Sequence, residues 1–380
     1  MASRLKSRRS PTSDRARSPL PELDTPAWLC DLDVVESNLR RMQARANTAG
    51  VRLRPHAKTH KSVRFARRQV ELGAAGITVA KLGEAEVMAA AGIDDILLAY
   101  PVVGPLKLAR LRELLVRVPR FTCAVDSLEV ASGISALGVA LGRRVPVYLE
   151  VDSTDSRRLG FAPGQIAAGM AARIRELPGV ALTGLMAHAG AAYGAADQAQ
   201  IRELAVREAA GLAETAQIAG GSLQRSVGST PTATYMDLAA RAGATEARPG
   251  TYIFNDRTEM RLGACGLDDV AVSILATVVS RPAPDRAVID AGSKTLTSDT
   301  FLAGTGFGEV RGEPALRLVR LSEEHGVMEV PADCDLAVGD RVEIIPNHVC
   351  PCINLTDELV GLRDGRPEAR IPVDGRGRVR

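Results

Sequence analysis

Two widely separated segments contain residues that could carry chemistry. Residues 54–61 read Arg-Pro-His-Ala-Lys-Thr-His-Lys and place Lys58 between two histidines after a run containing Val51 and Leu53. A lysine at a strand end facing a cavity can present its amine for a Schiff base. Residues 346–350 read Pro-Asn-His-Val-Cys, and an imidazole with a thiolate suits a borderline-soft metal ion. Together the segments predict a pyridoxal phosphate (PLP) enzyme with an added metal ion.

Length and composition indicate a two-domain α/β protein. The chain has 380 residues, which is long for one average domain. Hydrophobic residues make up 46% and aromatic residues only 3%, so the cores are mostly aliphatic, as suits helices on a buried parallel sheet. The six cysteines are scattered except for Cys350 and Cys352, which indicates free thiols and metal ligands and not a disulfide framework.

The charge distribution argues against a nucleic-acid partner. The net charge is +3, and residues 1–24 hold six basic and three acidic residues, so the remainder is balanced. Residues 1–24, rich in Ser, Arg and Pro, are expected to be a disordered basic tail, with a transit-like role as the alternative. Without an apolar signal region or a run of about 18 apolar residues, neither secretion nor a membrane span is expected. We expect a cytoplasmic protein.

The chain alternates between strand and helix patterns from about residue 33. Residues 32–49 form the first amphipathic helix. The predicted strands that follow are residues 51–56, 76–80, 95–99, 121–125, 145–151, 181–186, 225–228 and 245–248. Eight strands with helices between them predict a (β/α)8 TIM-type barrel.

The pattern changes after about residue 263. Short strand-like runs separated by Gly, Pro and Asp turns predict an antiparallel β domain. We therefore expect a PLP-binding barrel over residues 25–262 and a C-terminal antiparallel β domain over residues 263–380. Residues 25–32 could add a strand to the β domain.

Lys58 is the candidate anchor and catalytic base. With a period of two, His56, Lys58 and His60 would share one face of the first barrel strand. The carboxyl ends of barrel strands face the active-site mouth, where a neutral lysine could hold PLP and later act as the base at Cα. The alternative is a solvated basic patch.

Three further candidates follow later barrel strands. His188 and Tyr193 come just after the sixth strand, and we assign His188 a catalytic and Tyr193 a cofactor-binding role. A structural histidine is the alternative for His188. Arg158 follows the fifth strand and could hydrogen-bond the cofactor ring or its phenolic oxygen, or could be a surface arginine.

The phosphate of PLP needs a binding cradle. Barrels commonly build one from the loops after strands seven and eight, which here offer glycine amides, hydroxyl groups and helix starts. The same residues could instead be ordinary helix caps. The predicted cradle residues are Gly228, Ser229, Thr230, Gly250, Thr251 and Tyr252.

His348 and Cys350 are the candidate metal ligands. On an extended segment, residues two apart point the same way. Imidazole with thiolate favours Zn²⁺ over Mg²⁺ or Mn²⁺, and two protein ligands leave positions open for water or substrate. Cys352 could be a third ligand or a small buried hydrophobic residue.

As an ensemble, these motifs resemble a known family. Arg-Pro-His-x-Lys-Thr-His-Lys, Gly-Ser-Thr-Pro, Arg-Pro-Gly-Thr-Tyr, Asp-Ala-Gly-Ser-Lys at residues 290–294 and Pro-Asn-His-x-Cys are similar to the D-threonine aldolase and D-serine dehydratase group. These are fold-type III PLP enzymes related to bacterial alanine racemase. The resemblance implies that Lys58 carries PLP, that His348 and Cys350 bind a divalent metal, and that the protein is a homodimer with active sites near the interface.

The branch within this group is left open by the motifs. The aldolases typically pair the metal histidine with aspartate and place a histidine where Ala191 follows Gly190, so Cys350 and Ala191 lean toward the dehydratases. The dehydratases, however, usually carry a polar residue at the position of Ala191. The predicted function is a metal-assisted lyase of D-configured β-hydroxy amino acids, by β-elimination or retro-aldol cleavage. An amino-acid racemase and a non-catalytic PLP-homeostasis protein are the alternatives.

Overall fold

The structure is a computed structural model that describes residues 20–155, 159–300 and 306–380. Within these ranges, eight parallel strands form a barrel, and a second, mostly antiparallel sheet is built largely from the C-terminal part of the chain. The predicted (β/α)8 TIM-type barrel followed by an antiparallel β domain is thereby confirmed. None of the helices in these ranges has the length and apolar character that crossing a membrane requires.

The strands and helices are numbered in chain order. The strands are β1 (Ala27–Asp31), β2 (Arg52–Leu53), β3 (Ile77–Val79), β4 (Asp95–Leu98), β5 (Arg120–Val125), β6 (Val145–Glu150), β7 (Val180–Met186), β8 (Gln224–Val227), β9 (Glu246–Ala247), β10 (Val272–Ala283), β11 (Arg286–Ile289), β12 (Glu309–Val310), β13 (Arg317–Leu321), β14 (Gly326–Glu329), β15 (Arg341–Ile345), β16 (Glu358–Arg363) and β17 (Arg366–Pro372). The helices are α1 (Leu32–Ala49), α2 (Val63–Glu71), α3 (Leu82–Ala90), α4 (Pro105–Arg117), α5 (Leu128–Ala140), α6 (Gln165–Arg175), α7 (Gln198–Ala219), α8 (Thr230–Ala233), α9 (Met236–Arg241), α10 (Arg257–Arg261), α11 (Ser293–Leu296) and α12 (Val349–Ile353).

The barrel closes between its first and second strands. Each strand from β3 to β8 pairs with the next along the chain, and β9 pairs with β2. Regular pairing of β2 stops at Leu53, and Thr78 then holds the chain by donating to Pro55 O and accepting from Ala57 N, both at 2.8 Å. A parallel bridge joins His56 to Thr78. These bonds fix the position of the segment that leads to Lys58.

Helix α1 has the cap residues and the buried apolar face that its sequence pattern predicts. Asp31 caps its first turn, with Oδ1 accepting from the backbone N–H groups of Asp33 and Val34 at 2.9 and 3.1 Å. At its end Gly50 adopts φ 66°, a left-handed conformation that a glycine reaches at little cost. Leu39 and Met42 on its buried face pack into the main hydrophobic core.

The second sheet combines both ends of the described chain. Strand β1 pairs antiparallel with β10 and parallel with β16, so it lies in the middle of this sheet. Strands β12 and β17 were not predicted. β12 has only two residues, and in β17 Ile371 is the one buried side chain, so neither carries a hydrophobic alternation.

The predicted boundary of the N-terminal tail needs a correction. Residues 1–19 lie outside the described part of the chain. Residues 20–24 were expected to belong to a disordered tail, but Leu20 and Leu23 are buried against Leu29 and Leu275. These apolar side chains cover the second sheet. The Ser, Arg and Pro content of the preceding residues suggested disorder and hid this packing role.

The barrel interior combines an apolar layer with buried charges. Leu97, Ala124, Tyr148 and Met186, from four neighbouring strands, form a cluster separate from the main core between strands and helices. Neighbouring residues on the same strands belong to that outer core, which places these four on the inner face of the barrel.

Glu246 on β9 is the centre of the buried charges. Its Oε2 accepts from Arg54 Nε at 2.9 Å and from Arg52 Nη2 at 2.6 Å, and its Oε1 accepts from Ser226 Oγ at 2.7 Å. Arg54 also pairs with Asp95. A buried ion pair of this kind is costly to break from one side, because the remaining charge stays in the interior.

Replacing Glu246 with alanine should therefore destabilise the barrel strongly. We expect Glu246→Ala to lower the free energy of unfolding by about 3–5 kcal/mol, since Arg54 would lose a main partner. The matched control is Asp237→Ala, which breaks the exposed Arg241–Asp237 pair on α9 and should change stability by less than about 1 kcal/mol. Urea unfolding of both variants measures the effects. Equal, small losses in both would contradict a central role for Glu246.

Candidate active site

A cavity of about 430 Å³ opens at the carboxyl ends of the barrel strands. Its wall includes Lys58 after β2, Glu150 on β6, His188 after β7, and Arg248 after β9. Parallel strands bring all their carboxyl ends to one rim, so residues far apart in sequence meet there. The cavity lies where the barrel prediction placed the active-site mouth, at the carboxyl ends of the strands.

Lys58 lies in a tight turn at this rim. Lys61 N donates to Ala57 O at 2.8 Å, and Lys61 itself adopts φ 49°. The Lys61 ammonium pairs with Glu84 at 3.0 Å, and Lys61 O accepts from Gly375 N at 2.8 Å. The turn is thus held from α3 and from the C-terminal segment, which fixes the backbone beside Lys58.

The predicted common face of His56, Lys58 and His60 is wrong for His60. Because the chain turns after His56, the period of two does not continue. His60 is fully buried, with Nδ1 accepting from Ser62 N at 3.1 Å and its ring edge-on to Phe65. His56 does line the cavity. Burial, followed by the positive charges of Lys58 and Arg248, holds the pKa of His56 well below its usual value, so its imidazole is neutral at pH 7.

Four of the six predicted cradle residues line the cavity. They are Gly228, Ser229, Gly250 and Thr251. A Cβ added to Gly250 would lie 3.0 Å from Thr59 Oγ1 and 3.2 Å from His56 Cβ. Glycine at this position therefore allows the close approach of the segment that carries His56 and Thr59 beside Lys58.

Thr230 and Tyr252 are not brought to the cavity wall. Thr230 Oγ1 accepts from Tyr252 N at 3.2 Å, and the Tyr252 hydroxyl accepts from Gln69 Nε2 at 3.0 Å. The Tyr252 ring is buried in the main core. Their prediction as cofactor ligands is corrected to a structural role behind the cradle, because the Thr230 side chain joins the two loops and the Tyr252 side chain joins its loop to α2. Arg158 lies outside the described residues.

His188 is fixed by a backbone carbonyl. Its Nδ1 is hydrogen-bonded to Gly228 O, and since a carbonyl only accepts, Nδ1 carries the proton and Nε2 the lone pair in the neutral ring. The Tyr193 ring centroid lies 6.3 Å from that of His188. Burial and the nearby carboxyl of Glu259 raise the pKa of Tyr193 well above its usual value, so its phenol keeps its proton.

A second cavity of about 560 Å³ contains the His348 and Cys350 side chains. The extended segment predicted here is instead helical: His348 precedes α12, and Cys350 is the second residue of that helix. The two side chains still lie close enough for each to shift the pKa of the other. Cys350 Sγ also lies 3.2 Å from Thr59 Oγ1, one residue from Lys58.

The electrostatics of this pair favour an ionised thiol. Burial alone would raise the pKa of Cys350, but His348 and the Lys58 ammonium outweigh it and lower that pKa below its usual value. Burial alone would lower the pKa of His348, and Cys350, Asp256 and Asp299 raise it instead, to about 9. His348 Nδ1 lies 3.4 Å from Asp299 Oδ2. A thiolate and an imidazole beside carboxylates form a donor set suited to a divalent cation.

Cys352 does not line this cavity. Its thiol is buried and donates to Leu296 O at 3.4 Å. No group of three or more His, Cys, Asp and Glu side chains in a metal-binding arrangement occurs in residues 20–155, 159–300 and 306–380.

The two cavities share one wall. Lys58, His188, Tyr193 and Thr251 border both of them. The amine of Lys58 is therefore set between the glycine-lined cradle on one side and the His348–Cys350 pair on the other.

Several functional candidates escaped the sequence reasoning. Arg248 opens the Arg-Pro-Gly-Thr-Tyr motif and lines the cavity, with Nη1 donating to Ser226 Oγ and Nη2 to Ala187 O, both at 2.6 Å. Glu208 on α7 is buried behind the rim, and burial raises its pKa to about 7. Position at a strand end could have revealed Arg248. No local signal distinguishes Glu208 from the other glutamates of its helix.

The fold and the rim residues together define a class, the alanine racemase-like barrel enzymes. An alanine racemase from Clostridium difficile 630 has the same fold, with a TM-score of 0.66 at 16% identity over 92% of this chain and 99% of that chain. The family model for the alanine racemase N-terminal domain matches residues 30–258, and that for a putative serine dehydratase domain matches residues 271–362. The chain belongs to the D-threonine aldolase and D-serine dehydratase family of fold-type III PLP enzymes, as the motifs predicted.

Individual relatives match along nearly the whole chain. A D-threonine aldolase from Arthrobacter sp. is 37% identical over 94% of each chain. A D-threo-3-hydroxyaspartate dehydratase from Delftia sp. (strain HT23) is 39% identical over 86% of this chain and 91% of its own. The crystal structure of a D-threonine aldolase from Filomicrobium marinum superposes with a TM-score of 0.87 at 33% identity, covering 96% of this chain and 99% of that chain. Aldolases and dehydratases are lyases, so the prediction of an enzyme of this class is confirmed.

The raised pKa of Glu208 predicts a pH-dependent stability. Between its ordinary pKa of 4.5 and about 7, the unfolded chain has released the Glu208 proton while the folded chain retains it. The contribution of Glu208 to wild-type stability should therefore fall as pH rises through this window, by up to about 3 kcal/mol. Glu208→Gln cannot titrate, so its stability relative to wild type should rise by that amount between about pH 5 and about pH 8. Urea unfolding at both pH values measures this, and a constant difference would contradict the buried acid.

Proposed function

We propose that this chain is a PLP- and divalent metal-dependent lyase acting on D-configured β-hydroxy amino acids. One observation carries the proposal: Lys58, His188 and Tyr193 border both the cavity with the cradle and the cavity with His348 and Cys350. A substrate bound between them would place its amino group beside Lys58 and its β-hydroxyl beside the His348–Cys350 pair.

The cavity residues fit PLP. Ser229, Gly250 and Thr251 offer a hydroxyl and close backbone approach for the phosphate, and Lys58 Nζ would hold the cofactor covalently. Arg248 adds a fixed positive charge to the same wall. When bound, PLP supplies an electron sink for the negative charge that develops at Cα. We assign Arg158 a supporting contact to the cofactor.

The donor set of His348 and Cys350 fits a borderline-soft divalent metal, for which Zn²⁺ is the best match. A D-threo-3-hydroxyaspartate dehydratase has solved structures of a histidine-to-alanine and a cysteine-to-alanine variant at positions two residues apart, the second in a metal-free form. The same spacing separates His348 and Cys350. When bound, the metal supplies a Lewis acid for the β-hydroxyl of the substrate.

The chemistry of the chain's own residues follows from their protonation. Lys58 Nζ, when neutral, can take the Cα proton of a substrate held beside it. His188 carries a lone pair on Nε2 and can accept the β-hydroxyl proton, as retro-aldol cleavage requires. Tyr193 keeps its phenolic proton and can donate a hydrogen bond within the site.

Two outcomes are compatible with this arrangement. Loss of the β-hydroxyl gives a 2-oxo acid and ammonia, and the cysteine of the metal pair favours this dehydratase reaction. Cleavage between Cα and Cβ gives glycine and an aldehyde, and the match to the Arthrobacter aldolase over 94% of both chains supports this second candidate. The family resemblance further supports a cytoplasmic homodimer whose barrel, residues 25–262, holds PLP and whose β domain, residues 263–380, holds the metal.

Product analysis tests the reaction. We expect purified enzyme with PLP and Zn²⁺ to convert D- but not L-configured β-hydroxy amino acids, with ammonia or an aldehyde as the diagnostic product. His348→Ala should lose bound metal and at least about 100-fold of this activity, since Lewis-acid assistance is worth several kcal/mol, while PLP stays bound. Cys352→Ala, which removes a thiol outside the cavity, should keep its metal. Full activity in metal-free protein would contradict the metal role, and α-proton exchange without product would indicate a racemase.

A spectroscopic test addresses the anchor. Lys58→Ala should lose the visible absorbance of covalently held PLP, because no other amine would replace Nζ at this position. Lys81→Met is the matched control, since Lys81 is a second lysine on the cavity wall and should not be required. After borohydride reduction of wild type, peptide mass spectrometry should find the cofactor on Lys58. A label on Lys81, or on no lysine, would contradict the assignment of Lys58 as the PLP anchor.

A further inference from the structure

The face of α7 that packs against the barrel contains one charged side chain. Its buried residues are otherwise small, apolar or hydroxyl-bearing, and Glu208 among them is only 1% exposed. A buried carboxyl group is unfavourable unless hydrogen bonds compensate for its lost hydration. The contacts of Glu208 should therefore reveal why this position is not apolar.

Glu208 joins the ends of two neighbouring barrel strands. Its Oε1 accepts from Ala189 N and from Gly228 N, each at 3.0 Å. Ala189 follows His188 at the end of β7, and Gly228 precedes Ser229 at the end of β8. The His188 ring is in turn hydrogen-bonded to Gly228 O. One carboxyl oxygen and one carbonyl thus tie the His188 turn to the Gly228–Ser229 turn.

We propose that Glu208 is a positioning residue that holds the His188 turn and the Gly228–Ser229 turn at one fixed separation. This inference rests on the proposed function, because it links the orientation of His188 to the geometry of the phosphate cradle. If the carboxyl oxygen were removed, two buried N–H groups would lose their acceptor and the two turns could shift apart. Glu208 touches neither the cavity nor its contents, so its effect is transmitted through the backbone of both turns.

The surroundings of Glu208 are consistent with this role. Arg248 faces it from the β9 end with a favourable charge, and Glu150 faces it from β6 with an unfavourable one. Ser153 Oγ donates to Glu208 O at 3.2 Å, which ties the helix backbone to the loop after β6. The carboxyl group therefore lies where the ends of β6, β7, β8 and β9 meet α7.

The same helix provides a control of purely structural character. Thr215 is fully buried on the same face, where Oγ1 donates to Gly211 O at 2.7 Å and accepts from Gly164 N at 2.9 Å. Gly164 precedes α6 and lies away from the cavity wall. Thr215→Val removes both of these buried hydrogen bonds without touching either turn.

The test compares PLP affinity across matched variants. Apoprotein of wild type, Glu208→Leu, Glu208→Gln and Thr215→Val is titrated with PLP, and kcat is then measured on each holoenzyme. We expect the leucine variant, folded by circular dichroism, to bind PLP at least about tenfold more weakly and to lose kcat, since two buried N–H groups would lose their acceptor. Glutamine keeps an acceptor oxygen and should restore affinity to within about threefold of wild type. Thr215→Val should lower the melting temperature but leave the PLP dissociation constant unchanged.

The outcomes separate this inference from the proposed function. Wild-type affinity for PLP in folded Glu208→Leu would overturn the positioning role while leaving the proposed function intact. Wild-type protein that binds no PLP would overturn the proposed function, and this inference with it. If the leucine variant does not fold, Glu208→Asp is tested in its place. Aspartate is shorter by one carbon–carbon bond, so its carboxyl group lies about 1.5 Å farther from the two N–H groups. Unchanged PLP affinity in that variant would equally reject the inference.

Discussion

The hydrogen bonds that close the barrel at Thr78 are the constraint on which the active site depends. Strand β2 has only two regularly paired residues. Beyond Leu53 the chain is held on one side by Arg54 N and His56 N, which donate to Ala247 O and Pro249 O, both at 2.9 Å, and on the other side by Thr78. Holding Pro55 and Ala57 against β3 places the following turn, and Lys58 with it, at the rim. An amine that must meet a cofactor cannot tolerate large excursions, because a misplacement of about 1 Å can reduce rate by two orders of magnitude.

Periodicity and strand-end position revealed most of the fold and much of the site. The eight barrel strands, helix α1 and the rim location of Lys58, His188 and Gly250 follow from patterns a few residues long. The features that the sequence patterns predicted wrongly depend on tertiary packing. His60 is buried because the chain leaves the strand after His56. Cys350 lies in the first turn of α12, a helix for which the sequence showed no local signal. Glu208 could not be found at all, since its partners are backbone groups on distant strands.

The two sheets contribute different functional groups to the site. The barrel rim supplies amine, hydroxyl and glycine amides, whereas the segment after β15 supplies imidazole and thiol. Thr59 and Thr251 bridge the two, each with its hydroxyl within 4 Å of Cys350 Sγ, at 3.2 and 3.8 Å. The low pKa of that thiol depends on Lys58 as well as on His348, so neither half sets its electrostatics alone.

The central place of β1 in the second sheet bears on how the molecule folds. β1 lies between β10 and β16, so its partners are separated from it by some 240 and 330 residues of chain. Contacts of such long range slow folding, because the loop must be closed before they contribute. During synthesis, the first strand to emerge is among the last to acquire neighbours. Until then its apolar face, with Leu29 and Ala27, lacks the neighbouring strands that bury it in the finished fold.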